Sequence, residues 1–155
     1  MTVKINIFDD LSKSCKIYQF SIYFFAQQKN AVELAEYLQD CESIDKIYYP
    51  GLTSHRGHDI AKKQMDGFGA VISFELNKKI NPKLFLKSLN MINPSMSFAG
   101  VESTMLSPAE TSHYLLSPED RLIQGITDNL IRFSVGIEDV PDVVYDFEQA
   151  LTKCK

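Results

Sequence analysis

The sequence predicts a mixed α/β (α+β) domain, one small sheet with helices mainly on one face, and three observations predict it. Short runs rich in β-branched and aromatic residues, "IDKIYYP", "AVISFEL" and "LIRFSVG", recur along the chain. Between them lie segments with the spacing of amphipathic helices. No repeat or low-complexity linker interrupts the alternation, which is the pattern of a single layered domain.

The elements follow in order. From Gln27, the residues Ala31, Leu34, Ala35 and Leu38 fall at i, i+3, i+4 and i+7, the apolar stripe of a helix ending near Asp40. "IDKIYYP" is a short strand stopped by Pro50 and Gly51, "GHDIAKKQM" a brief helix, and "AVISFEL" a buried strand. "NPKLFLKSLNM" opens as a helix does, with Asn81 at the N-cap and Pro82 in the first turn. Ser95 to Pro108 reads as extended segments around a corner at Ala99 and Gly100. "SPEDRLIQG" is a short helix capped by Ser117, opened by Pro118 and ended by Gly125. In "LIRFSVG", Ile131, Phe133 and Val135 alternate with Arg132 and Ser134, so one face is core and the other carries the arginine. A last helix begins near Asp139 and Pro141 and buries Val143, Val144, Phe147, Ala150 and Leu151.

The bulk numbers narrow the function classes. A chain of 155 residues suits one domain, and folding would bury roughly 70% of its unfolded surface, enough for a real core. Lys and Arg number 16 against 20 Asp and Glu, a formal charge of -4, and the basic residues are scattered, which argues against nucleic acid as the main partner. Cys15, Cys41 and Cys154 are far apart and never in CxxC or Cys/His spacing, so neither a disulfide framework nor a zinc site is signalled and a reducing cytoplasm is the default. "IYQFSIYFFA", residues 17–26, is about half the roughly 20 residues that a spanning helix needs. Asp9 and Asp10 stand where a signal peptide would be basic. No membrane partner is expected.

Few side chains have the spacing of chemistry. His55 and His58 stand three apart, but no third ligand is placed to help them, so they read as solvated residues at a helix end and no metal is expected. "SIDK", residues 43–46, matches Ser-x-x-Lys in form only and reads as a turn. No Walker loop, GxGxxG or GxSxG occurs. Arg132 has two readings of equal weight: a planar fork held rigidly for a carboxylate, or a surface strand residue paired with Asp or Glu. Glu102 and Ser103 either satisfy the backbone of a corner or face a ligand together with Arg132.

The stretches "IYYPGLTSHRGHDIAKKQMDGFGAVISFEL", "SFAGVESTMLSPAETSH" and "GITDNLIRFSVGIEDVPDVVYDFEQAL" resemble the C-terminal domain of the pyridoxal-phosphate (PLP)-dependent Cys/Met metabolism enzymes, the cystathionine γ-synthase and γ-lyase family. The resemblance covers Gln28 to Leu151, with three long motifs in the right order. It implies a small α/β domain, residues 27–155, of the kind that packs on a large PLP domain in cytoplasmic homotetramers. Arg132 then matches the arginine that clamps the substrate α-carboxylate, Ser103 the serine whose neighbourhood completes that pocket, and Glu102 a position that favours γ-type reactions. The β-lyase and sulfhydrylase readings stay open. Orientation matters because PLP chemistry depends on which Cα bond stands perpendicular to the cofactor ring.

The same resemblance implies what the chain lacks. The family's cofactor lysine lies in a Ser-x-Thr-Lys stretch of the large domain, and no such stretch occurs here; "SIDK" falls instead just before "IYYPG". The chain corresponds to about the last third of an enzyme, with no catalytic or cofactor-binding residue of its own, and is expected to be inactive alone. Residues 1–26, with "CKIYQFSIYFFA", do not match the family and are expected to be unrelated or out-of-frame sequence. An inactive fragment or a free-standing amino-acid-binding module are the alternatives to an enzyme part.

Overall fold

The computed structural model describes residues 7–154, with side chains from Ile22 onward. The first helix, α1 (Ile7–Gln39), is longer than the periodicity predicts. No Gly or Pro lies between Ile7 and Gln39, so nothing in the chain stops the helix at residue 26. The side chains of residues 1–21, Cys15 among them, lie outside the described residues. The stripe itself is as expected, with Ala31, Leu34, Ala35 and Leu38 all buried.

The remaining elements are β1 (Ile44–Tyr48), α2 (His58–Gln64), β2 (Val71–Leu76), α3 (Pro82–Ser88), β3 (Asn93–Pro94), β4 (Thr104–Leu106), α4 (Pro118–Ile123), β5 (Leu130–Ser134) and α5 (Val140–Thr152). Their starts follow the sequence signals. Asn81 Oδ1 accepts the Leu84 N–H at 3.0 Å, and Ser117 Oγ accepts that of Asp120 at 3.1 Å, each with a proline in the first turn. Gly125, with φ of 75°, follows α4.

The strands form one mixed sheet in the order β1-β2-β5-β4-β3, antiparallel except for the short parallel pair β3 and β4. Strand β5, late in sequence, lies at its centre. The register sets Ile72 opposite Phe133, Phe74 opposite Ile131, and Met105 opposite Phe133, all buried. Their neighbours along each strand project to the other face, where Tyr48, Ser73, Arg132 and Leu106 stand in one row across four strands.

Helices α1, α3 and α5 pack together on the apolar face. The Phe147 ring of α5 is their common contact. It meets Phe85 of α3 at 5.1 Å, Phe74 of β2 at 5.7 Å and Tyr37 of α1 at 6.2 Å between ring centres, each time edge-on. Val144, expected in the core, is only half-buried beside it. Asp146, a charged residue on the same helix, is buried instead.

Asp146 is buried because the backbone needs it. Its carboxylate accepts the N–H groups of Asn90, Met91 and Ile92 at 2.8–2.9 Å and the Gln149 side-chain amide at 3.0 Å. Three consecutive N–H groups leaving α3 would otherwise be orphaned. Burial alone would push the carboxyl pKa up, but the donors from Ile92, Asn90, Met91 and Gln149 outweigh it and hold the group below its ordinary value.

Two stability tests follow. Phe147→Ala should cost about 3–5 kcal/mol in urea denaturation, while Tyr145→Ala, on the exposed side of the same helix, should stay within about 0.5 kcal/mol. Asp146→Asn should cost about 1–3 kcal/mol at neutral pH, because the amide turns a donor toward donors. The depressed carboxyl stabilises the fold above its unfolded pKa of about 4, and that contribution is lost as pH falls through the folded value. The gap between wild type and Asp146→Asn should therefore narrow from pH 7 to pH 3, and a constant gap would show that ionisation is not what matters.

Candidate functional site

Arg132 stands on the open face of the central strand, between Ser73 and Leu106 on the flanking strands. Its guanidinium leans over the loop that joins β3 to β4. Nη2 donates to the carbonyl of Met96 at 3.0 Å and to that of Ser97 at 3.3 Å, and the Phe98 ring lies 5.2 Å from the guanidinium carbon. Among the described residues no carboxylate pairs with Arg132, and Nε is buried without a hydrogen-bond partner. Among the described residues, the surface ion pair that the sequence allowed is not formed. Nη2 is fixed by backbone, Nε is enclosed, and Nη1 is the guanidinium nitrogen left open to an anion.

Glu102 is exposed, on the rim of a depression of about 420 Å³ that Asn93, Ser95, Ser97 and Gly100 also line. Arg132 borders the same loop through Ser97. Ser103 lies behind it, 1% exposed. Its N–H and hydroxyl both donate to the Glu138 carboxylate, at 2.6 and 2.9 Å, and its hydroxyl accepts the Gly136 N–H at 2.9 Å. The structure thus sets the Arg132 side chain of β5 against the loop that carries Glu102 and turns the Ser103 hydroxyl inward.

The loop is held from several sides. Ala99 N–H donates to Ser134 Oγ at 3.1 Å, and Thr104 Oγ1 donates to the Ser97 carbonyl at 2.8 Å. Gln27, buried on α1, donates its amide to the Gly100 carbonyl. One turn on, Asn30 donates to the carbonyls of Gly136 and Glu138 at 3.2 and 2.8 Å. Sequence reasoning missed Gln27, Asn30, Ser134 and Glu138. Only Glu138, two residues beyond "SVG", carried a signal, an acidic residue between a strand and a helix cap.

The other sequence candidates are structural. His58 is not a solvated terminus: its Nδ1 sits 2.8 Å from the Pro50 carbonyl, which puts a proton there, and its ring stacks on Phe68 at 5.3 Å. His55 Nδ1 accepts the Gly57 N–H. Of "SIDK", Ser43 lies in a turn, but Lys46 belongs to β1, with its ammonium 4.7 Å from the Tyr48 ring centre. Among the described residues no cluster of His, Cys, Asp and Glu could hold a metal ion, and no helix is long and apolar enough to cross a membrane.

Every described lysine is exposed, and none lines the depression beside Arg132. The described residues therefore do not fit PLP, which needs a lysine at the bound substrate.

Comparison with known proteins places this geometry. Residues 20–152 match the family described as Cys/Met metabolism PLP-dependent enzyme. A cystathionine β-lyase from Lactococcus lactis subsp. cremoris (strain MG1363) is 44% identical over 128 residues, 83% of this chain and 34% of the relative. An L-methionine γ-lyase from Fusobacterium nucleatum subsp. polymorphum is 42% identical over 135 residues, 86% of this chain and 34% of the relative. Among solved structures, cystathionine γ-lyase from Lactobacillus plantarum complexed with L-serine superposes with a TM-score of 0.83 at 38% identity, over 86% of this chain and 35% of the other. The chain spans about a third of the length of these proteins. The match begins at residue 20, within the segment whose sequence reads as unlike the family. On its sequence, its sheet and its helices, the chain belongs to the Cys/Met metabolism PLP-dependent enzymes.

Proposed function

We infer that this chain supplies the substrate-carboxylate side of a PLP-dependent enzyme acting on a sulfur amino acid, with residues 27–155 as its small domain. The observation that carries the reading is the state of Arg132: on the central strand, without a carboxylate partner among the described residues, with Nη2 pinned to two carbonyls. An arginine so held presents a flat, pre-oriented donor edge. A bound α-carboxylate would be fixed in plane as well as in place, so the substrate arrives with its Cα bonds already oriented. Glu102 on the rim is the second contact, and Ser103 contributes by shaping the wall through its bonds to Glu138 and Gly136.

The cofactor lysine comes from a large-domain chain in this reading, and the described residues alone are inactive. Family chemistry is carbon–sulfur bond cleavage or replacement; we assign this chain to the γ-type, with cystathionine, cysteine or an activated homoserine as substrate and methionine biosynthesis as the setting. Cystathionine β-lyase is the second reading, favoured by 44% identity to such an enzyme over 83% of the chain. A cytoplasmic homotetramer is the assembly we propose.

Two experiments test this. Combined with a matching large domain, Arg132→Lys should lower kcat/KM about a hundredfold, because lysine keeps the charge and loses the two-point fork. Unchanged kinetics would make Arg132 an ordinary strand residue. The purified chain treated with PLP and borohydride should show no stoichiometric label on any one lysine, and a single lysine labelled one-to-one would overturn the assignment of the cofactor site to another chain.

A further inference from the structure

We propose that Glu138 is a positioning residue, one that sets Arg132 by gripping the far end of the loop on which its guanidinium rests. The structure gives each link. Glu138 takes both the N–H and the hydroxyl of Ser103, and the same hydroxyl receives the Gly136 N–H, so the exit of β5 is tied to the start of β4 at one point. The Ile137 N–H donates to the Val101 carbonyl at 2.9 Å and tightens the same junction. Space there is fully used: a Cβ at Gly136 would come within 2.2 Å of Glu138 Oε2 and 2.5 Å of both Ser103 N and the Val101 carbonyl. From this anchored end the chain runs back through Gly100 and Ala99 to Ser97 and Met96, whose carbonyls hold Arg132 Nη2. The other side-chain supports of the loop, Gln27 at Gly100, Ser134 at Ala99 and Thr104 at Ser97, are single hydrogen bonds. Glu138 alone holds it by two, both through its carboxylate oxygens, which makes it the strongest of the four clamps.

The role depends on hydrogen bonding and shape. A glutamine at 138 keeps an acceptor for the Ser103 N–H and offers its amide to a hydroxyl that can rotate, so it should restore the junction; alanine cannot. This rests on the reading of Arg132 as the carboxylate grip, yet the experiment uses no ligand and no partner chain, so it fails or succeeds apart from that reading.

In the full chain, the Arg132 Nε–H signal and the exchange rates of the Ala99, Gly136 and Ile137 amides are measured by NMR for wild type, Glu138→Ala and Glu138→Gln. Glu138→Ala should broaden or shift the Arg132 Nε–H signal. It should also speed exchange at those three amides by about tenfold or more relative to the amides of β2 and β5. Glu138→Gln should return both toward wild type. An unmoved Arg132 signal in Glu138→Ala, or exchange that rises equally in β2 and β5, would reduce Glu138 to a general stabiliser and overturn the proposal. Glu138→Gln as disrupted as alanine would overturn the hydrogen-bond account. If Glu138→Ala does not fold, Ser103→Ala removes the hydroxyl and leaves the N–H contact. It should then move the Arg132 signal in the same direction, and no movement would equally overturn the proposal.

Discussion

The register of β5 is the constraint on which the rest depends. The strand is bonded on both sides, to β2 and to β4, and its residues alternate between the helix-covered face and the open one. Ile131 and Phe133 go in, and Arg132 goes out. A slip by one residue would exchange them, setting a guanidinium against the aromatic cluster around Phe147 and an apolar ring against solvent. Burial of the core face therefore fixes where the arginine points, so the same contacts that stabilise the domain orient its candidate ligand.

Packing settles the faces of the sheet, but it does not settle its loops. Those are closed by side-chain hydrogen bonds to backbone, several of which come from helices. Asp146 of α5 collects three N–H groups leaving α3 and so delivers the chain to β3. Gln27, Gln28 and Asn30 of α1 reach the loops at Gly100, Gly69, and Gly136 with Glu138. These groups would be costly if unpaired, and their pairing gives the loops fixed shapes. The depression beside Glu102 keeps its outline because both of its ends are held this way.

The elements were legible because their signals are local. Alternation in "LIRFSVG", the 3-and-4 spacing after Gln27, and the Asn-Pro and Ser-Pro caps each depend on a handful of adjacent residues. The upstream reach of α1 was obscured because "IYQFSIYFFA" is apolar all round and shows no stripe, although its helix propensity is adequate. The sheet order was not legible, since β5 inserts between β2 and β4 after the intervening loop and short helix of residues 107–129. Arg132 could be singled out as rigid from its strand position, but its partners could not. Met96 and Ser97 contact it through carbonyl groups, which every residue has, so no residue type marked them. The buried role of Asp146 was hidden for a related reason, because its partners are also backbone groups, 54 to 56 residues away.

Ala99 shows how strongly the loop is determined. It has φ of 61°, the one positive value at a residue other than glycine among those described. An alanine there costs about 1–2 kcal/mol relative to ordinary backbone. The conformation persists because its neighbours leave no alternative: its own N–H is held by Ser134, the next carbonyl by Gln27, and the chain four residues on by Glu138. Relaxing Ala99 would swing Met96 and Ser97 away from Arg132 and release the Nη2 donors from the carbonyls that fix them. Local strain and the fixed arginine are thus two ends of one arrangement, in which bonds from α1, β5 and the β5–α5 turn hold a loop that would not choose this shape by itself.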